Sequence, residues 1–217
     1  MSQSNTEELL RPYRIDADRI MQAALAGLLV VSVALGVYTG TLAVALAIGL
    51  PAVIVPVALM RLAPGSLGGR SAAAAALMIF AALMIQQTRG MIEIHFGIFV
   101  LLAFLLYYRD WRPILVAAAV IAVHHLSFNY LQATGTGLYV FANGTGLQLV
   151  ILHAVYVVVE AGVLIYMAVR LQAETVEAAQ VAELARKMAQ GDLSMQPAQA
   201  GATSLLGEVV RMQAALA

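Results

Sequence analysis

Residues 91–160 read MIEIHFGIFVLLAFLLYYRDWRPILVAAAVIAVHHLSFNYLQATGTGLYVFANGTGLQLVILHAVYVVVE. Three apolar runs lie here, separated by YYRDWRP and by a glycine-rich segment. The same stretch holds all four histidines of the chain: His95, His124, His125 and His153. A hydrocarbon core of about 30 Å needs roughly 20 apolar residues as helix. The runs therefore predict membrane-spanning helices with imidazoles inside the apolar layer.

The pattern extends toward the N-terminus. Spans are expected at 20–37, 41–60, 71–88, 92–108, 113–131 and 147–169. The predicted fold class is all-α: a polytopic membrane bundle of six transmembrane helices followed by a cytoplasmic helix–connector–helix. Composition agrees, with 62% hydrophobic and 11% charged residues against about 25% charged in soluble domains. Net charge is zero, which gives no electrostatic case for nucleic acid. Without cysteine, disulfides and thiolate metal sites are excluded. The polar start, MSQSNTEELLRPYRIDADRI, is not shaped like a cleavable signal peptide.

Basic residues orient the bundle. Arg11, Arg14, Arg19, Arg61, Arg70, Arg109, Arg112 and Arg170 fall on one side of the predicted spans; Arg89 alone falls on the other. Both termini are thus expected in the cytoplasm. Tyr107, Tyr108 and Trp111 would form the inner aromatic belt, and Tyr130, Tyr139 and Phe141 the outer one. Pro51 and Pro56 predict a kinked second span. The alanine-rich third span suits close helix packing. For the outer loop ATGTGLYVFANGTG two readings stay open, a lid over the outer mouth and a flexible connector.

Helical rise, about 1.5 Å per residue, sets the depth of the histidines. His95 lies about 5 Å inside its span, His124 and His125 about 10 Å and His153 about 9 Å, all from the outer end. Gln86 and Gln87 end the third span on that side. Ionisable groups within a membrane mark functional sites by default, and neutral imidazole is a frequent metal ligand. His95, His124, His125 and His153 are thus candidate ligands of one transition-metal ion. The adjacent pair is about 100° apart on its helix, so one of the two would face the ion. Met91 and Met84 are candidate secondary ligands, and their thioethers place copper ahead of zinc. A haem held between two histidines is the alternative; interhelical hydrogen-bonding by the imidazoles is the plain structural one. Glu160, about 10 Å deeper than His153, reads as a proton-linked switch or as a carboxyl held by a helix partner. Glu93, four residues from Arg89, reads as an interfacial ion pair or an entry-mouth residue.

Beyond Arg170 the chain turns polar and amphipathic. Val181, Leu184 and Met188 form one apolar seam, and Leu205, Val209, Met212 and Leu216 another. Short parallel helices cannot cover such seams alone, which predicts a homodimer. The run 173–217 resembles a HAMP domain, the signal relay of bacterial chemoreceptors and sensor kinases. The resemblance rests on Ala189-Gln190-Gly191-Asp192-Leu193 and on Leu206-Gly207-Glu208-Val209-Val210 with Met212-Gln213. Two features depart from it: no proline opens the first helix, at Arg170-Leu171-Gln172, and Leu205 stands where an acidic residue is usual. Upstream, EIHFGIFVLLAFLLYYRDWRPI, AVIAVHHLSFNYLQ and LHAVYVVVE look like a multi-span sensory module found ahead of methyl-accepting output domains.

The resemblance implies a methyl-accepting chemotaxis protein without its signalling hairpin, in a bacterial inner membrane. The expected organisation is a cytoplasmic segment at 1–19, a membrane sensor at 20–170 and a HAMP-like relay at 171–217. Its partners would be the lipid bilayer, a second copy and downstream signalling proteins. No phosphate loop, nucleophile elbow or HExxH is present, so no enzyme is expected. A transporter or a membrane oxidoreductase is the competing class; neither would employ the C-terminal relay.

Overall fold

The computed structural model describes residues 3–192, 194 and 205–216, and within them every regular element is helical. The order is α1 (Gln3–Thr39), α2 (Leu42–Leu62), α3 (Leu67–Gln87), α4 (Ile92–Phe104), a 3₁₀ turn at Leu105–Tyr108, α5 (Trp111–Ala133), α6 (Leu147–Ala189) and α7 (Leu205–Leu216). Among the described residues, α1, α2, α3, α5 and α6 are long and apolar enough to cross a bilayer. The fourth expected span is a shorter apolar helix, Ile92–Tyr108. The chain divides into two compact units, Tyr13–Ala168 and a second made of Met1–Pro12 with Val169–Ala217.

In the first unit α3 is the central helix. Ala73, Ala74, Ala76, Leu77, Phe80 and Ala81 are all buried, and α2, α4 and α5 pack around it. Its alanines allow that close approach. Gly49 of α2 does the same from the other side: a Cβ there would come within 2.8 Å of Leu29. Ser66 caps α3 by accepting the Gly69 N–H at 3.2 Å. α2 stays helical through Pro51 and Pro56.

The expected boundary at residue 20 is absent. α1 runs unbroken through the polar start, and Arg14 and Asp18, placed by sequence in a solvated segment, are 1% and 3% exposed. Partners distant in sequence account for the burial of Asp18. It accepts the Gly65 N–H at 2.7 Å and the Tyr108 hydroxyl at 3.0 Å. Arg70 donates to the Gly65 carbonyl at 2.9 Å and pairs with Asp110 at 3.0 Å. Asp110 also caps α5 through the Arg112 N–H and binds the Arg112 guanidinium at 2.9 Å. Two residues of the expected aromatic belts, Tyr108 and Phe141, are instead buried at 0% and 5% exposure. Tyr108 is drawn in by Asp18; Phe141 packs among the histidines.

In the second unit Gly191 (φ +80) ends α6, with the Asp192 N–H returning to the Lys187 carbonyl at 3.0 Å. A left-handed glycine closing a helix is the expected use of that residue. Glu177 accepts the Leu206 N–H at 3.2 Å at the start of α7. Leu184 and Leu206 are buried. The expected α7 seam is therefore displaced by one residue: Leu206, Gly207 and Gln213 are covered, whereas Leu205 and Met212 are exposed. The cause is that α7 packs within its own chain first. Leu193, most of the connector and the Leu216 side chain lie outside the described residues.

Candidate functional site

Three helices meet at their histidines. The ring centres of His95 on α4 and His153 on α6 are 5.3 Å apart. His125 on α5 lies 5.4 Å from His95 and 5.6 Å from His153. The depths counted along the sequence thus correspond to one level in space. His124 and His125 diverge as neighbours on a helix must. His125 faces the other two imidazoles, while His124 packs on Phe128 with ring centres 4.2 Å apart and has its Nδ1 3.4 Å from that of His125.

Helix geometry sets the tautomer of the inner three rings. Nδ1 of His95 lies 2.9 Å from the Met91 carbonyl, Nδ1 of His125 3.0 Å from that of Ile121, and Nδ1 of His153 2.8 Å from that of Leu149. A carbonyl only accepts, so each Nδ1 carries the proton and donates it one turn back. Nε2 of each neutral ring is then a bare lone pair. For His95 and His125 that atom is buried without a hydrogen-bond partner among the described residues. A buried acceptor left without a donor is costly, and these nitrogens are open to a hydrogen-bond donor or a cation.

The imidazoles face an apolar cavity of about 310 Å³ between α4, α5 and α6. Its walls include Ile98, Phe99, Ala118, Ile121, Ala154 and Val157. The other sequence candidates lie elsewhere. Met84 is buried outside the cavity lining, and Met91 is half exposed and contributes its carbonyl to His95. The thioether argument for copper therefore has no geometric counterpart. Glu160 is also outside the lining, and its buried Oε2 meets no hydrogen-bond partner among the described residues, so the expected helix partner is not there. Glu93 is exposed. Arg89 sits over the Tyr139 ring at 6.0 Å, and among the described residues no ion pair joins it to Glu93.

The glycine-rich loop is a pinned cover. Phe141 lies tilted with its ring centre 4.9 Å from that of His153 and stacks on His95 at 6.2 Å. Gln132 holds the loop from α5, accepting the Val140 N–H at 2.7 Å and donating to the Phe141 carbonyl at 2.7 Å. Gln86 accepts the Tyr139 N–H at 2.7 Å, and Asn129 accepts that of Gly146 at 2.8 Å. Gln87 turns away to α1, donating to the Ser32 carbonyl at 2.9 Å. The sequence reading missed Phe141, Gln132 and Asn129. For Gln132 and Asn129 the one signal was polar residues spaced along the last turns of α5. Gly90 (φ +81) lies under the cover, and a Cβ there would sit 2.4 Å from the Phe141 backbone. Gly90→Ala is expected to lift Phe141 and raise the rate of histidine acylation by diethyl pyrocarbonate severalfold; an unchanged rate argues against a closed cover.

The chain matches no family model, no curated protein and no solved structure. Chemistry must therefore be read from the site itself. Among the described residues no three His, Asp or Glu side chains are already placed to hold a metal ion. Spacing and orientation separate here. Metal–nitrogen bonds of about 2.0–2.1 Å put imidazole centres roughly 5 Å apart at tetrahedral angles. The observed triangle has that size. Its rings stand at 34° to 74° to one another.

Proposed function

We propose that this protein is a signal-transducing membrane receptor of the chemotaxis type, with a transition-metal ion held by His95, His125 and His153. The observation that carries the reading is the triangle of Nδ1-protonated imidazoles, one from each of α4, α5 and α6. His124 supports His125, and the fourth position of the ion faces the cavity. Imidazole ligands serve copper, zinc, nickel and iron; copper and zinc are the first two to test. The chain acts as a six-span protein in a bacterial inner membrane with both termini cytoplasmic, counting Ile92–Tyr108 as the fourth span. Reporter fusions at Gly65 and Gly137 should report cytoplasmic and external positions respectively, and the reverse would invalidate that orientation.

Transmission is supported by chain continuity. His153 and the relay seam lie on one helix, α6, which ends at Ala189. Binding draws the three helices together, and the motion of α6 changes packing around Leu184 and α7 in a HAMP-like homodimer. A ligand shifts a two-state equilibrium only by its differential affinity, and tenfold preference supplies about 1.4 kcal/mol. Leu184 is already covered within one chain, whereas Leu205 and Met212 are exposed apolar residues left for a partner. The test is disulfide crosslinking of Met212→Cys in reconstituted full-length protein. Subunits should crosslink at a rate that metal changes by at least severalfold. Absence of crosslinking at both Leu205→Cys and Met212→Cys would remove the dimeric relay; a rate indifferent to copper and zinc would remove the metal trigger.

A further inference from the structure

An ion coordinated at the level of the imidazoles leaves most of the cavity unfilled. The space continues along the helices from His125 past Ile121 to Ala118, seven residues or about 10 Å. Its lining below the histidines is apolar. Alanines on α5 and α6, Ala118 and Ala154, create the room, and Phe99 supplies an aromatic wall. A cavity of about 150 Å³ accepts benzene, and ligand pockets start near 300 Å³. A volume of about 310 Å³ therefore suits one or two rings. Among the described residues that line the cavity, the only polar side chains are the imidazoles, which present lone pairs. They select a hydrogen-bond donor or a cation and offer nothing to an anion. Leu126, Ile151 and Val158 flank the cavity and are 56%, 55% and 69% exposed. They are apolar side chains of membrane-length helices, so the entrance adjoins hydrocarbon.

We infer that the cavity binds a neutral one- or two-ring molecule bearing a hydroxyl group, of the phenol or hydroquinone class, which enters from the lipid. The ring lies between Phe99, Ala118 and Ala154, and the hydroxyl points at Nε2 of His95 and His125. Without an ion the hydroxyl donates to a lone pair; with one its oxygen takes the open fourth position. The inference rests on the imidazole triangle being a ligand site, as in the receptor reading, but not on the ion.

The experiment uses full-length protein in lipid nanodiscs, stripped with chelator, and follows 4-fluorophenol and fluorobenzene by fluorine NMR. A saturable bound resonance is expected for 4-fluorophenol, with binding at least about tenfold weaker for fluorobenzene, which lacks the donor. Ala118→Phe, filling the cavity about two turns from His125, and Ala154→Phe, filling it beside His153, should abolish the bound signal. Zinc binding measured on the same samples shows that the imidazoles remain in place. No saturable signal, equal binding of the two probes, or binding that survives both phenylalanine substitutions would overturn the inference, leaving the cavity to lipid chains. Zinc binding without phenol binding defeats this inference alone; phenol binding without zinc or copper binding defeats the metal reading alone.

Discussion

Replacing His125 with alanine is expected to weaken transition-metal binding by more than a factor of ~100, because even residues that only support a ligand commonly contribute 10–100-fold. His95→Ala and His153→Ala should do the same, since each ring supplies one side of the same triangle. His124→Ala should cost less, about tenfold or below. Its ring packs on Phe128 outside the cavity lining and touches the site only through the Nδ1 of His125. The graded result distinguishes a three-imidazole site from four equal ligands. Affinity should also fall on acidification, because protons and metal compete for Nε2. Metal content by elemental analysis and titration of the folded protein are the measurements. If none of the three inner substitutions changes either, these histidines are interhelical packing groups and the proposed metal site does not exist.

Asp110→Ala is expected to be the most damaging single change outside the histidine cluster. Arg70 and Asp110 are each 1% exposed and paired at 3.0 Å. Removing one partner of a buried ion pair strands the other charge, at a cost of about 3–5 kcal/mol. Asp110 also caps α5 and binds Arg112, so the loss extends to the start of that helix. Asp18→Asn keeps the shape and accepts fewer charge-assisted bonds, and should cost about 1–3 kcal/mol. The double change Arg70→Met with Asp110→Asn should recover part of the loss, since neither member of the pair is then left charged. Thermal unfolding in detergent checks the order. Equal stability of Asp110→Ala and the unaltered protein would mean that the pair is solvated in the membrane-embedded state.

How much of this was legible in the residues differs from element to element. Apolar runs of membrane length foretold the helices, because hydrocarbon forces a helix to satisfy its own backbone. A constant rise per residue was enough to set His95, His125 and His153 at one level. Residues as far apart as Asp18 and Tyr108 gave no such sign, since their pairing depends on which helices pack together. The N-terminal polar stretch looked solvated for the same reason: its partners, Gly65 and Tyr108, are remote in the chain.

Periodicity placed the α7 seam through Leu205 and Met212, whereas intrachain packing covers Leu206 and Gln213. Likewise, composition left the outer loop open between cover and connector. Gln86, Gln132 and Asn129 decide it by holding its backbone, and Phe141 closes over the rings. The sequence alone determined an all-helical membrane chain and the common level of three of its imidazoles along their helices. The tertiary structure decided which imidazole faces inward, which nitrogen of each ring is bare and that an apolar cavity lies beneath them, because each depends on the side-chain orientation and inter-helix spacing that packing sets.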